Sequence, residues 1–197
     1  TVYNVTKGVE LSGNLTAQSS GANTTLSGTL TGSVLAGDEL TLTFLSPNYT
    51  SQEGTLDYIA ANCDYATATV TVSSISGNNI TTTAANFTNQ QAIVKFSLKD
   101  NAKANDNDLS ATQLVVTVNG TSYTVTPTSA TNVLYVAIPG FAIQDVALAA
   151  TVGNDTYTYT KTGVTFDNGK YYTVSVKMAL VKTLANATTD DIGKVVD

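Results

Sequence analysis

The 197-residue chain contains no histidine, no tryptophan and no arginine, and it has one cysteine and three prolines. Each shortage removes a class of chemistry. Acid–base catalysis near neutrality most often uses histidine, so a Ser-His-Asp or Cys-His site is excluded, and the chain is expected to be non-enzymatic. The net charge is −6 and every cationic side chain is a lysine. That leaves no basic stripe for a phosphate backbone and excludes nucleic acid as a partner. No glycine-rich turn leads from a strand into a helix, so neither a phosphate-cradling loop nor any other cofactor motif is present. Cys63 has no second thiol to pair with and no His or Arg to activate it, and it reads as a small buried hydrophobe. No apolar run approaches the length that spans a bilayer, and the start of the chain lacks the charged and apolar regions of a signal peptide. The chain is therefore expected to be soluble and mature.

What the sequence has in their place is threonine, 35 copies of it, a β-branched residue that fits a pleated, half-exposed strand better than a helix. With only 12% of residues charged, the surface is kept wet by hydroxyls and amides. That is unusual for a cytosolic protein and points to export. Period-2 alternation recurs throughout. Leu40, Leu42 and Phe44 alternate with Glu39, Thr41 and Thr43; Ala66, Ala68, Val70 and Val72 alternate with Tyr65, Thr67, Thr69 and Thr71; Ala92, Val94, Phe96 and Leu98 share one face. Turns sit between such runs. Asn119-Gly120 joins 114–118 to 121–125 and predicts a type I′ hairpin, because both central residues of that turn need positive φ. Gly77-Asn78, Gly153-Asn154-Asp155 and Asp167-Asn168-Gly169 mark further reversals. Helix is confined to one short stretch, Leu56 to Ala61, after Gly54.

About six or seven strands fall on each side of a boundary near residue 86, the number expected of two small antiparallel sandwiches of immunoglobulin-like size. The chain is thus expected to be all-β, with an N-terminal β-sandwich over 1–85, a C-terminal one over 86–183 and a tail or linker over 184–197. The strand over 171–181 puts Tyr172, Val174, Val176 and Met178 on one face and is expected to belong to the core. The tail has little apolar material before Ile192, Val195 and Val196. Those three residues are expected to order only as a donor strand against a partner.

Side chains with recognisable chemistry are few. Tyr157, Tyr159, Tyr171 and Tyr172 cluster late in the chain and offer platforms for stacking on a sugar, although strand-face or interface packing is the expected role. Asp106 and Asp108, with Asn105 and Asn107 between and before them, present oxygens for calcium. Their loop, however, lacks the glycine at the sixth place and the closing glutamate of a helix-loop-helix site, so it is read as solvated and no metal is expected.

The segments Phe87-Thr88-Asn89-Gln90-Gln91-Ala92-Ile93-Val94-Lys95-Phe96-Ser97-Leu98, Leu134-Tyr135-Val136-Ala137-Ile138-Pro139 and Gly169-Lys170-Tyr171-Tyr172-Thr173-Val174-Ser175-Val176-Lys177-Met178 resemble the fimbrillin-like proteins of Bacteroides and Porphyromonas relatives. These are fimbrial subunits and their cell-adhesion cousins. The likeness spans about residues 55 to 182. It implies a pair of transthyretin-like sandwiches, export as a lipoprotein precursor, and display on the outer surface or in a fimbrium. It also implies partnership with other fimbrial subunits, or with itself, by strand addition, and adhesion to host or bacterial surface glycans or proteins. Such a subunit is expected to expose an edge or groove near its first strand. The alternative is a carbohydrate-binding module of a polysaccharide-utilising surface complex, with the late tyrosines as its platform.

Overall fold

A computed structural model describes residues 1–45, 48–102 and 107–182. Among these residues the chain is all-β apart from one short helix. Its elements are β1 (Val2–Asn4), β2 (Val9–Gly13), β3 (Thr16–Ala17), β4 (Leu26–Ser27), β5 (Leu30–Thr31), β6 (Glu39–Phe44), β7 (Ser51–Gln52), α1 (Leu56–Asn62), β8 (Ala66–Ser76), β9 (Asn79–Thr82), β10 (Thr88–Asn89), β11 (Gln91–Asp100), β12 (Gln113–Val118), β13 (Thr121–Val125), β14 (Val133–Pro139), β15 (Phe141–Val152), β16 (Asp155–Phe166) and β17 (Tyr171–Leu180). Two compact units result, Thr1–Asn48 with Ala61–Gln91, and Tyr49–Ala60 with Ala92–Asp197. The single boundary expected near residue 86 gives way to three crossings. Residues 86–91 still serve the first unit, because β10 pairs with β8. Residues 49–60 serve the second, because β7 pairs with β13, more than seventy positions downstream.

The first unit is built on one antiparallel sheet, ordered β10-β8-β6-β1-β2-β5, with β9 folded back on β8. Alternation makes it one-sided. Val2, Leu11, Leu40, Leu42, Ala68, Val70 and Val72 are all buried in one cluster, covered by Leu15, Leu26, Leu30 and Val34 from the segment that carries the small β3–β4 hairpin. On the opposite face the register aligns Glu10, Tyr3, Thr41 and Thr69 in a row. Seven buried side chains of this size, at about 25 cal/mol per Å² removed from water, are what hold so polar a chain in a sheet.

The second unit threads eight strands in the order β14-β11-β17-β16-β15-β12-β13-β7. Most pairs are antiparallel, as expected, but β11 with β17 and β13 with β7 run parallel. The sheet turns a corner between β16 and β17, which pair over two residues only. Phe96 and Leu98 of β11, Val136 and Ile138 of β14, and Met178 of β17 then meet Leu114 and Val116 of β12 and Leu148 of β15 in one core. This is a β-sandwich formed by one sheet folded over itself. The turn expected at Asn119-Gly120 is present, with φ of 47° and 78°.

The two ends of this path are tied together. Main-chain bonds run from Thr126 N–H to Gln52 O (2.8 Å) and from Tyr135 N–H to Gly54 O (3.0 Å). The buried Gln52 side chain adds Nε2–H to Ala137 O at 2.7 Å and accepts Ala137 N–H at 2.9 Å. Segment 49–54 therefore lies as a strap between β13 and β14. Gly54 permits it, since its φ is +77° and a Cβ there would stand 2.9 Å from both Leu134 Cδ2 and Val125 Cγ1.

Candidate functional site

Among the described residues several strands have an unpaired side: the outer part of β16 beyond its two-residue contact with β17, β9 and β10 at one end of the first sheet, and the β2 end of that sheet. In the first unit β1 is not an edge strand, as a groove beside it would require; it is paired on both sides, by β2 and β6. On that side the open edge lies one strand further out. Val9 and Glu10 of β2 pair with β1 alone; at Leu11 the outer side is approached by Gly32, where a Cβ would stand 2.5 Å from Leu11 Cδ2, and β5 takes Ser12 and Gly13.

The turn that delivers β2 to this position is fixed by a polar network seeded by Asn4. Asn4 is fully buried at the end of β1 and Asp38, almost as buried, precedes β6. Asn4 Nδ2 donates to Asp38 Oδ2 at 2.8 Å, and Asn4 Oδ1 accepts Lys7 N–H at 3.1 Å. Leu35 N–H donates to the same Asp38 oxygen at 2.9 Å, while Lys7 Nζ lies 3.4 Å from it and 2.9 Å from Ser33 Oγ. The amide of Asn4, then the Leu35 N–H and the Lys7 ammonium hold the Asp38 carboxyl below its ordinary value, against the opposing effect of burial. Thr6 Oγ1 accepts Glu39 N–H at 2.9 Å and closes the turn.

This rigid end of the sheet presents apolar side chains to solvent. Tyr3, Val5 and Val9 are each 44% exposed and Leu35 is 60% exposed. An unpaired strand edge beside exposed apolar side chains is a template for another strand.

The residues singled out in the sequence are distributed differently. Tyr157, Tyr159 and Tyr172 all pack against the core of the second unit. Burial, reinforced by Asp100 and Asp155, pushes the Tyr157 hydroxyl up. The Tyr172 ring lies 4.7 Å from that of Phe166, and its hydroxyl accepts Asp167 N–H at 2.9 Å. Tyr171 alone is largely exposed, at 54%. Adjacent strand residues point to opposite faces, so Tyr171 and Tyr172 never share a platform. Ile192, Val195 and Val196 lie outside the described residues, as do Asn105 and Asp106. Asp108, from the same loop, is ion-paired with Lys99. Among the described residues no three carboxylates or thiols gather around a common point. Cys63 is fully buried, with its thiol near Asn48 O at 3.5 Å, and burial pushes its pKa up.

Sequence reasoning missed Asn4 and Gln52. Each is a polar side chain in a strand position otherwise taken by a hydrophobe, and that mismatch is the signal that would have found them.

No protein-family model, no curated protein and no solved structure matches the chain.

Proposed function

We propose that this chain is a non-enzymatic subunit of a cell surface, exported and assembled by strand addition in the manner of the fimbrillin-like proteins that residues 55–182 resemble. The observation that carries the reading is the open edge of β2 with Tyr3, Val5 and Val9 exposed around it. Main-chain hydrogen bonds supply affinity in such a contact and alternate side chains supply register, so no reactive group is needed. The partner is an extended segment of a second copy or of a sister subunit, and adhesion to surface glycans or proteins follows from display at the outer membrane or in a fimbrium.

Sedimentation velocity over a concentration series tests the proposal. The wild-type chain is expected to self-associate, and Val9→Lys, which sets a charge beside the edge at a position itself 44% exposed, is expected to shift it to monomer. A wild-type chain that stays monomeric at every accessible concentration, alone and with candidate sister subunits, overturns the reading.

A further inference from the structure

We propose that the second unit carries a binding site for a neutral sugar, in the depression between residues 53–57 and residues 127–135. This goes beyond strand-mediated assembly and does not depend on it. The depression measures about 440 Å³, and Glu53, Asp57, Thr128, Ser129 and Tyr135 are among the residues that line it. The depression is shallow and open to solvent, and most of its polar side chains are exposed.

Its walls are preformed. One wall is the end of the strap and the first turn of α1, where Tyr58 N–H donates to Thr55 Oγ1 at 3.2 Å. The other follows β13 and leads into β14. The Tyr135 N–H to Gly54 O bond, the Thr126 N–H to Gln52 O bond and the two bonds between Gln52 and Ala137 hold them together. A ligand entering here meets a backbone already in place, while the exposed side chains of Glu53, Asp57, Thr128 and Ser129 are ordered on binding.

The lining decides the ligand class by elimination. Glu53 and Asp57 are exposed, and the ion pairs of the described residues, Lys7 with Asp38 and Lys99 with Asp108, involve neither of them. Two unneutralised carboxylates repel an anion. They are also too few for a hard cation, which takes six to eight oxygens by the usual count of about that number, and no third acid or thiol joins them among the described residues. An apolar ligand would strand both carboxylates and the hydroxyls of Thr128 and Ser129. A neutral pyranose satisfies all of them. Its hydroxyls donate to the carboxylates in charge-assisted hydrogen bonds and exchange hydrogen bonds with Thr128 and Ser129, and its C–H face packs on Tyr135. Lys95 Nζ lies over one face of the Tyr135 ring, 6.0 Å from its centroid, which leaves the other face for the sugar.

The test uses amide chemical shifts of the full chain, at a dilution where it is monomeric, titrated separately with methyl α-mannopyranoside, methyl β-galactopyranoside, methyl β-glucopyranoside and calcium chloride. At least one glycoside is expected to shift Gly54, Thr55, Thr128 and Ser129 saturably. Asp57→Asn, an exposed change that leaves the fold intact, is expected to weaken that binding by about tenfold or more, as loss of a hydrogen bond to a charged group does. Ser129→Ala provides a second variant with the same expected direction. The proposal is overturned if none of the three glycosides shifts these amides, if the shifts map elsewhere, if Asp57→Asn binds as well as wild type, or if calcium alone perturbs the site.

Discussion

The side-chain amide of Gln52 stands where the peptide group of a strand would, 2.7 Å from the Ala137 carbonyl oxygen and 2.9 Å from the Ala137 nitrogen. One residue thereby satisfies both main-chain groups of another, 85 positions away. Gln52 Nε2 also donates to Tyr49 O at 2.9 Å, so the strap is braced at both of its ends.

Gln52→Leu keeps the volume and removes every one of these bonds. Buried main-chain groups left without partners are expected to lower stability by about 2–5 kcal/mol, read from urea denaturation followed by circular dichroism. Gln52→Glu adds a sign that the leucine variant lacks. A carboxylate facing two carbonyl oxygens has its pKa raised in the folded state, so this variant is expected to gain stability as the pH falls from neutrality toward the ordinary glutamate range.

Gly54→Ala tests the same strap through the backbone. The new Cβ meets two fully buried side chains at 2.9 Å, at a φ of +77°. A loss of about 1–3 kcal/mol is expected. With the φ as the main source of strain, the double variant Gly54→Ala/Val125→Ala is expected to lose about the sum of the two single losses, and a smaller loss would assign the strain to the contact with Val125.

Asp38 gives the molecule an acid-sensitive joint. Its folded pKa lies below the ordinary value of 3.8, chiefly through the hydrogen bond from Asn4. The stability it contributes is therefore complete above that ordinary value and is lost as the pH falls through the lower, folded one. Asp38→Asn is expected to flatten the pH dependence of the melting temperature in that acid window while leaving its slope near neutrality unchanged.

Cys63 reports on opening of the first unit. A thiol that is fully buried, with its pKa pushed up by that burial, reacts poorly as thiol and seldom as thiolate. An aromatic disulfide reagent at mildly alkaline pH is expected to modify the native chain far more slowly than the chain in guanidinium. Equal rates would show that the residue is accessible in the folded state.

Local pattern made much of this fold legible in the sequence. Ala66, Ala68, Val70 and Val72 are buried at alternate positions, as are Ala92, Val94, Phe96 and Leu98, because a half-buried strand leaves a period-2 trace. The hairpin at Asn119-Gly120 and the turn of helix after Gly54 were visible through residue chemistry of the same short range. Pairings of long range left no such trace. The parallel β11–β17 ladder joins Ile93 to Tyr171, and a two-residue β7 is too short to carry any period. The tyrosines illustrate a second limit. In β16 Thr and Tyr alternate cleanly, but both are residues that strands accept on either face, so the alternation could not say which would turn inward. The open edge of β2 was equally hidden, since an edge is defined by which strand fails to arrive.

The strap also orders events in time. A ribosome delivers residues 49–54 well before residues 121–139, so the first unit can form its sheet while the two positions that will receive Gln52 are still untranslated. Until they emerge, Ser51 and Gln52 hang from a nearly finished neighbour with their amides turned to water. The second unit can close only once Ala137 has arrived. A fragment cut at residue 92 loses the Gln52 bonds to Ala137 and the β7–β13 pairing, whereas one that begins at Tyr49 keeps them and carries residues 61–91 of the first unit with it.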